Sequence, residues 1–429
     1  MNTNIPNSSH PRVVIIGAGF AGLNLIKKLG NKPFQVIIID RYNYHCFQPL
    51  LYQVATGGLE PSSIAHPIRK FANDYNNVLL RVAEVSAINA KENYITTSIG
   101  DISYDYLVLA TGTKTNFFGK TGAAQNAMEL KSIPDALDLR TRILENLEKA
   151  LLTTELSERD RLMNFVIVGG GPTGVELAGA LGELKKHVLI KDYPELDLRR
   201  MQINLIESSS EVLDAMSDEA SAKSRTYLEE LGVSLWLNTK VNEYDGSTAT
   251  LNNGESIATA TLVWTAGVES ALPDGLPAEL LGRGKRVKVN EFNQILGYEN
   301  AFAVGDACLQ TEPNFENGYP QIAPVAIQQA TQLGKNLLRI TQNQAPTPFS
   351  YHHQGNMATV GRNRAVVDLK LFKSQGLFAW FVWMFVHLIT LIGFRNKLIV
   401  FTNWFWNYLS YDRHLRLIIR PMSYYTKKD

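Results

Sequence analysis

Apolar residues along this chain fall either into short unbroken runs or into longer stretches with a helical repeat. VVII (13–16) is closed by the small residues GAGFAG (17–22). LNLIKKL (23–29) then shows helical spacing, and QVIIID (35–40) returns to an unbroken run that ends on Asp40. Short apolar runs bounded by glycine read as buried strands, and the amphipathic stretch between them as a helix. Residues 1–40 therefore predict strand, tight turn, helix, strand. The same order returns at FVIVGGGPTGVELAGAL (165–181), followed by QINLIE, which ends on Glu207. Two more apolar runs, YDYLVLATGT (104–113) and ATLVWTAGV (260–268), close in small-residue turns, and AFAVGDAC sets Gly305 and Asp306 after another short strand. This alternation predicts an α/β fold with two Rossmann-like dinucleotide-binding domains.

Each repeat carries G-x-G-x-x-G between strand and helix: Gly17, Gly19 and Gly22 in the first, Gly169, Gly171 and Gly174 in the second. At this spacing the first glycine permits the tight turn and the second lets the backbone approach a pyrophosphate. The third lets helix and strand pack closely, while the helix N-terminus offers free N–H groups to the phosphates. Asp40 stands 18 residues after Gly22, at the end of the second strand, where a carboxylate accepts hydrogen bonds from ribose hydroxyls. The gap from Gly174 to Glu207 is longer, and KDYPELDLRRM (191–201) reads as an insertion between helix and strand. Two fingerprints imply two dinucleotides. Glu207 repels a 2′-phosphate and so favours NADH over NADPH, with Arg199 and Arg200 acting against that preference. Asp306 alone reads as a turn residue or helix cap; behind two nucleotide folds it reads as a partner for a ribityl chain or pyrophosphate.

Composition narrows the function classes. Across 429 residues, 42 Lys and Arg balance 41 Asp and Glu for a formal charge of +1, which lacks the basic footprint of a nucleic-acid binder. No nucleic-acid partner is expected. Cys46 and Cys308 are the only cysteines, too few for a disulfide framework, a Cys-rich metal site or a C-x-x-C pair, so no metal is expected and the compartment reads as reducing. Residues 1–11 are polar and show no secretory leader pattern.

Taken together, these residues resemble the two-dinucleotide-binding-domain flavoproteins, and within them the type II NADH dehydrogenases, the non-pumping NADH:quinone oxidoreductases. The most specific pieces are YHCFQPLLYQVATGGLEP (44–61), GGGPTGVELAG (169–179), VGDAC (304–308), APVAIQQATQLGKNL (323–337) and GFRNKLIVFTNWFWNYLSYDRHLRLI (393–418). The resemblance implies non-covalent FAD on Gly17, Gly19, Gly22 and Asp40, with Ala110, Thr111, Gly112 and Gly305 beside it and Asp306 on the ribityl chain. It implies NADH as substrate on Gly169, Gly171, Gly174 and Glu207, near Ala266 and Gly267. By the same resemblance Glu176 sits by the nicotinamide–flavin contact, Gln328 and Gln332 line a quinone pocket, and the HCFQPLLYQ loop closes over the flavin. The bland readings stay open: Glu176 as a carboxylate favoured near a helix N-terminus, and the i, i+4 glutamines as ordinary capping or inter-helix hydrogen bonds. Single histidines such as His45 and His387 read as satisfied core or interface residues. Three other readings compete with it, and a disulfide reductase falls because it needs a close cysteine pair after the first fingerprint, which this chain lacks. A sulfide:quinone oxidoreductase needs cysteines placed to carry sulfur, and an NADH-binding redox sensor would show no quinone-dependent rate.

The tail departs from the rest. Gly376–Phe394 holds no Asp, Glu, Lys or Arg, yet residues 395–429 carry seven basic and two acidic side chains. A single span would carry this basic tail across the membrane, and Leu398–Leu409 is too short to return. On a helical wheel Trp380, Trp383, His387, Thr390 and Phe394 share one side, opposite Val382, Phe385, Ile389 and Ile392. The expectation is a membrane-associating amphipathic region lying on the lipid surface, with Trp404, Trp406 and Tyr408 at headgroup depth. The alternative is a buried homodimer interface. The division expected is 1–115 as the first part of the FAD domain, 116–160 as a helical connection, 161–290 as the NADH domain, 291–370 as the second part of the FAD domain with the quinone-site helix, and 371–429 as the anchor. The enzyme is expected on the cytoplasmic face of the inner membrane.

Overall fold

The computed structural model describes residues 3–370, 372–410 and 415–419. The chain forms two units, one from Met1–His45, His66–Lys114 and Val268–His353, the other from Cys46–Ala65, Thr115–Gly267 and Gln354–Asp429.

The first unit is built on a five-stranded parallel sheet in the order Ala301–Ala303, Tyr106–Leu109, Arg12–Ile16, Gln35–Asp40, Val78–Val82. The VVII run predicted as a strand is its centre, and alternate residues serve opposite faces. Val14 and Ile16, with Ile37 and Ile39, enter a core closed by Ile88, Ile95 and Ile102. Those three come from an antiparallel ribbon of strands Val85–Asn89, Tyr94–Thr97 and Gly100–Ser103. Helix Phe20–Leu29 packs on helix Ala323–Thr341, closely enough that a Cβ on Gly334 would sit 2.5 Å from the Lys28 Cβ. Ile15 is fully buried, so Ile15→Ala would cost about 2–5 kcal/mol.

The second unit repeats the plan with a four-stranded parallel sheet in the order Val233–Trp236, Gln202–Ile206, Asn164–Val168, Thr261–Trp264. Its core joins Val166, Val168, Ile206 and Trp264 to Tyr244, Leu251 and Ile257 from a second three-stranded antiparallel ribbon. The duplication therefore includes a ribbon under each sheet, a feature without a signature in the glycine motifs. Helix Ile133–Leu152 starts with a capping box, in which Ser132 Oγ accepts Asp135 N–H and Asp135 accepts Ser132 N–H. After helix Pro172–Leu184 the chain runs on through a wider helical turn, Lys185–Leu189, into Ile190–Asp192, so the stretch read as an insertion begins inside a helical extension.

A three-stranded antiparallel sheet, Asn356–Thr359, Ala365–Asp368 and Lys373–Gln375, leads into helices Leu377–Thr390 and Phe394–Ser410. Both helices turn apolar residues outward: Phe378, Phe381, Phe385 and Ile389 on the first, Leu398, Phe401, Phe405 and Leu409 on the second. Inward, Asn396 donates to the Ala65 carbonyl at 2.8 Å and Asn407 to that of Gly58 at 3.1 Å. Trp383 faces in and Phe385 and Ile389 face out, as the wheel expects. Phe394 does not follow it and is 81% exposed, because the helix breaks at Leu391–Gly393 and restarts. Trp404, expected at headgroup depth, is buried instead, since its indole N–H donates to Gln53 Oε1 at 2.7 Å; Trp406 and Tyr408 are exposed. No helix among the described residues is long and apolar enough to cross a membrane. Of the basic tail, Arg413, Arg420, Lys427 and Lys428 lie outside the described residues.

Candidate functional site: two dinucleotide cradles and a buried glutamate

The first cradle forms where strand Arg12–Ile16 ends. Gly17 takes a φ of +102°, which side-chain-bearing residues rarely adopt, and a Cβ there would lie 2.3 Å from the Ala110 carbonyl oxygen. A Cβ on Gly22 would lie 2.0 Å from the Gly17 carbonyl oxygen, so the helix can start this close to the turn only without one. A Cβ on Gly19 would meet nothing within 4 Å, leaving the backbone at the start of helix Phe20–Leu29 approachable from outside. Asp40 is held by two backbone donors, Ala18 N–H at 2.7 Å and Tyr42 N–H at 2.8 Å. Burial raises its pKa above the ordinary carboxylate value, and those hydrogen bonds oppose the rise. Ala110 N–H bonds the Ile16 carbonyl, which sets Thr111 and Gly112 beside the turn.

The second cradle repeats this turn. Gly169 has φ +109°, Gly174 would clash with the Gly169 carbonyl at 1.9 Å, and Gly171 faces open space. Glu207 stands where Asp40 does, taking Gly170 N–H at 2.5 Å on Oε2 and Ser209 N–H at 2.7 Å on Oε1. Thr265 N–H bonds the Val168 carbonyl as Ala110 bonds Ile16, which aligns Ala266 and Gly267 with Thr111 and Gly112. Arg199 and Arg200 are committed elsewhere, to Asp197 and Asp160, and do not reach Glu207.

Helix Pro172–Leu184 carries Glu176 in its second turn, 7% exposed, so a first-turn dipole role does not describe it. Burial pushes its carboxyl up to about 8, against a hydrogen bond from Thr359 N–H at 3.3 Å. Thr359 Oγ1 in turn shares a 3.0 Å hydrogen bond with the Tyr52 hydroxyl, which accepts from Gln53 Nε2 at 2.9 Å, and Gln53 accepts from Trp404. A cavity of about 110 Å³ opens beside this network, walled by Tyr52, Thr359, Trp383, Trp404, Glu183 and His187. The network is invisible to motif reading because its members lie up to 351 residues apart. The His387 ring stacks on Trp383 at 3.9 Å, and burial lowers its pKa to about 4, as it does for His45.

Gln328 and Gln332 share a face of helix Ala323–Thr341, and both amides hold the following segment. Gln328 donates to the His352 carbonyl and accepts its N–H, each at 3.0 Å, while Gln332 bonds the Thr347 hydroxyl. The glutamine between them, which the motif did not single out, points inward. Gln329 accepts Gly305 N–H at 2.7 Å and donates to Gln310 at 3.0 Å, fixing the turn that presents Asp306. Burial raises both thiols, Cys46 and Cys308, to about 12, so neither is an activated thiolate.

Known proteins similar to this chain identify its family. The family model described as pyridine nucleotide-disulphide oxidoreductase matches residues 11–330, and that described as NDH2 C-terminal domain matches 353–413. The type II NADH:quinone oxidoreductase NdhA of Mycobacterium tuberculosis is 35% identical over 430 residues, covering 96% of this chain and 90% of that protein. The chain belongs to the type II NADH:quinone oxidoreductases. A second member from the same organism, Ndh, is 35% identical over 94% of this chain and 89% of its own length. The fold of this type II NADH:quinone oxidoreductase is also that of the NDH2 structure from Plasmodium falciparum in complex with NADH, with a TM-score of 0.87 at 20% identity over 96% of this chain and all of that one. As in its family, FAD is the cofactor, NADH the substrate and a quinone the acceptor. The approachable backbone at Gly19 and at Gly171, each beside a carboxylate locked at the strand end, fits a dinucleotide in each cradle.

Proposed function

We propose that the cradle at Gly17, Gly19, Gly22 and Asp40 holds FAD, with Ala110, Thr111, Gly112, Gly305 and Asp306 completing its site. The cradle at Gly169, Gly171, Gly174 and Glu207, with Ala266 and Gly267, holds NADH. The observation that carries this reading is the pair of locked carboxylates, Asp40 and Glu207, in matched turns. FAD, when bound, supplies the two-electron chemistry between NADH and a membrane quinone. Ser209 N–H and Gly170 N–H hold the Glu207 side chain in place, and Glu207 accepts from the adenosine ribose and repels a 2′-phosphate. Glu176 keeps a proton on its carboxyl at neutral pH and exchanges it through the cavity at Tyr52 and Thr359, a supply suited to a reaction that consumes protons at the quinone. Gln328 and Gln332 serve the quinone, with Gln328 able to trade its His352 partners for a carbonyl oxygen.

The outward apolar stripes of helices Leu377–Thr390 and Phe394–Ser410 lie on the lipid surface, as a monotopic anchor on the cytoplasmic face of the inner membrane. A second copy of the chain is the competing occupant of that face, and sedimentation with and without vesicles separates the two. The function is tested by its half-reactions. Anaerobic mixing with NADH should bleach the flavin absorbance, and a short-chain quinone should restore it. Bleaching without restoration would contradict the oxidoreductase reading and favour a sensor.

A further inference from the structure

The two cradles share the same backbone turn but differ in what stands over one glycine. A Cβ added at Gly112 in the first would meet nothing within 4 Å, whereas one added at its counterpart Gly267 would lie 2.5 Å from the tip of the Phe118 ring. Phe118 is unusual in two further ways. It is 60% exposed, and its φ of +51° places a bulky aromatic in the left-handed region, a conformation that has to be held by its surroundings. Asn116 holds it: its side-chain oxygen accepts Phe118 N–H at 2.8 Å, its carbonyl accepts the Trp264 indole N–H at 3.0 Å, and its N–H bonds the Gly267 carbonyl at 3.1 Å. The ring is thus fixed against the carboxyl end of strand Thr261–Trp264.

The sheet order says which half of a dinucleotide reaches that place. Strand Asn164–Val168, whose turn would take the pyrophosphate, lies between Gln202–Ile206 and Thr261–Trp264. Glu207 at the end of the former marks the adenosine side, so the nicotinamide nucleotide extends toward the latter and toward Phe118. We propose that Phe118 is a substrate-binding residue whose ring packs against the nicotinamide half of NADH. The strained backbone is kept because it aims an apolar ring at the part of the substrate that must be placed for hydride transfer. This rests on the assignment of NADH to the second cradle.

The test uses the FAD-loaded enzyme and three competing ligands: NADH, ADP-ribose, which lacks the nicotinamide ring, and AMP. Dissociation constants come from the NADH dependence of single-turnover flavin bleaching and from its inhibition by the other two. Phe118→Ala should weaken NADH about three- to tenfold, the range of an aromatic contact, and leave AMP unchanged. Phe118→Gly, which also relieves the left-handed strain, should match or exceed the wild-type Tm while weakening NADH as much. That opposition separates a binding role from misfolding. Unchanged NADH affinity in both variants, or an equal loss for AMP, would overturn the proposal. Failure of AMP and ADP-ribose to compete in the wild type would instead overturn the assignment of the second cradle.

Discussion

Glu207 accepts the backbone N–H of Gly170 at 2.5 Å, so the carboxylate at one strand end is tied to the glycine turn of the next strand. A second tie from Ser209 N–H leaves little freedom for the acid to swing away from an incoming 2′-phosphate. Glu207→Gln keeps a hydrogen-bonding side chain and removes the charge. The expected outcome is a fall in NADPH KM of about tenfold with NADH KM rising less, a specificity change driven by loss of repulsion. Equal effects on both coenzymes in steady-state assays would show that Glu207 acts only on the fold.

The pKa of Glu176 makes a prediction about stability and pH. Its carboxyl titrates near 8 when folded and near 4.5 when exposed, so between these values the native state binds more protons than the unfolded chain. Stability from this residue therefore falls as pH rises from about 4.5 to about 8 and is level outside that window. Glu176→Gln, which copies the protonated form, should gain in Tm relative to wild type as pH goes from 5 to 8. Two Tm curves that stay parallel across that range would count against a buried neutral carboxyl.

Gln329 predicts a cofactor effect. It is 1% exposed and its side-chain oxygen takes Gly305 N–H, so Gln329→Met leaves that donor without its partner beside Asp306. Loss of such a hydrogen bond costs about 1–3 kcal/mol. The variant should release FAD more readily, measured as flavin fluorescence after dilution, with quinone KM little changed. Gln328→Ala should show the opposite split, raising quinone KM more than NADH KM.

The apolar stripes predict membrane release. Phe385 and Phe405 are 64% and 55% exposed on the outer faces of their helices. Burying a phenylalanine in lipid is favourable by about 1.5–3 kcal/mol, so Phe385→Glu with Phe405→Glu should lower vesicle binding by tenfold or more. Flotation with liposomes reads this directly. Unchanged binding would move the contact to another surface.

Much of the architecture was legible because its signals are local. Glycine spacing, apolar run length and a terminal acid mark Gly17 to Asp40 and Gly169 to Glu207 within a few tens of residues, and parallel-sheet strands announce themselves as unbroken apolar runs. The antiparallel ribbons carry weaker alternation and leave no comparable mark in the sequence. Trp404 reads as interfacial in an apolar tail because its partner, Gln53, lies 351 residues away in the chain. Gln329 was hidden by its neighbours: three glutamines on one helix look alike, and only the packing of Gly305 against that helix decides which one turns inward. Phe118 gave no signal either, since a left-handed φ at an aromatic has no sequence pattern.

The most direct test is steady-state oxidation of NADH and of NADPH by the detergent-purified enzyme, with and without a short-chain quinone. Rapid turnover that requires quinone and strongly prefers NADH is the predicted result. Flavin reduction by NADH with no quinone-stimulated rate, or equal use of NADPH, would contradict the account.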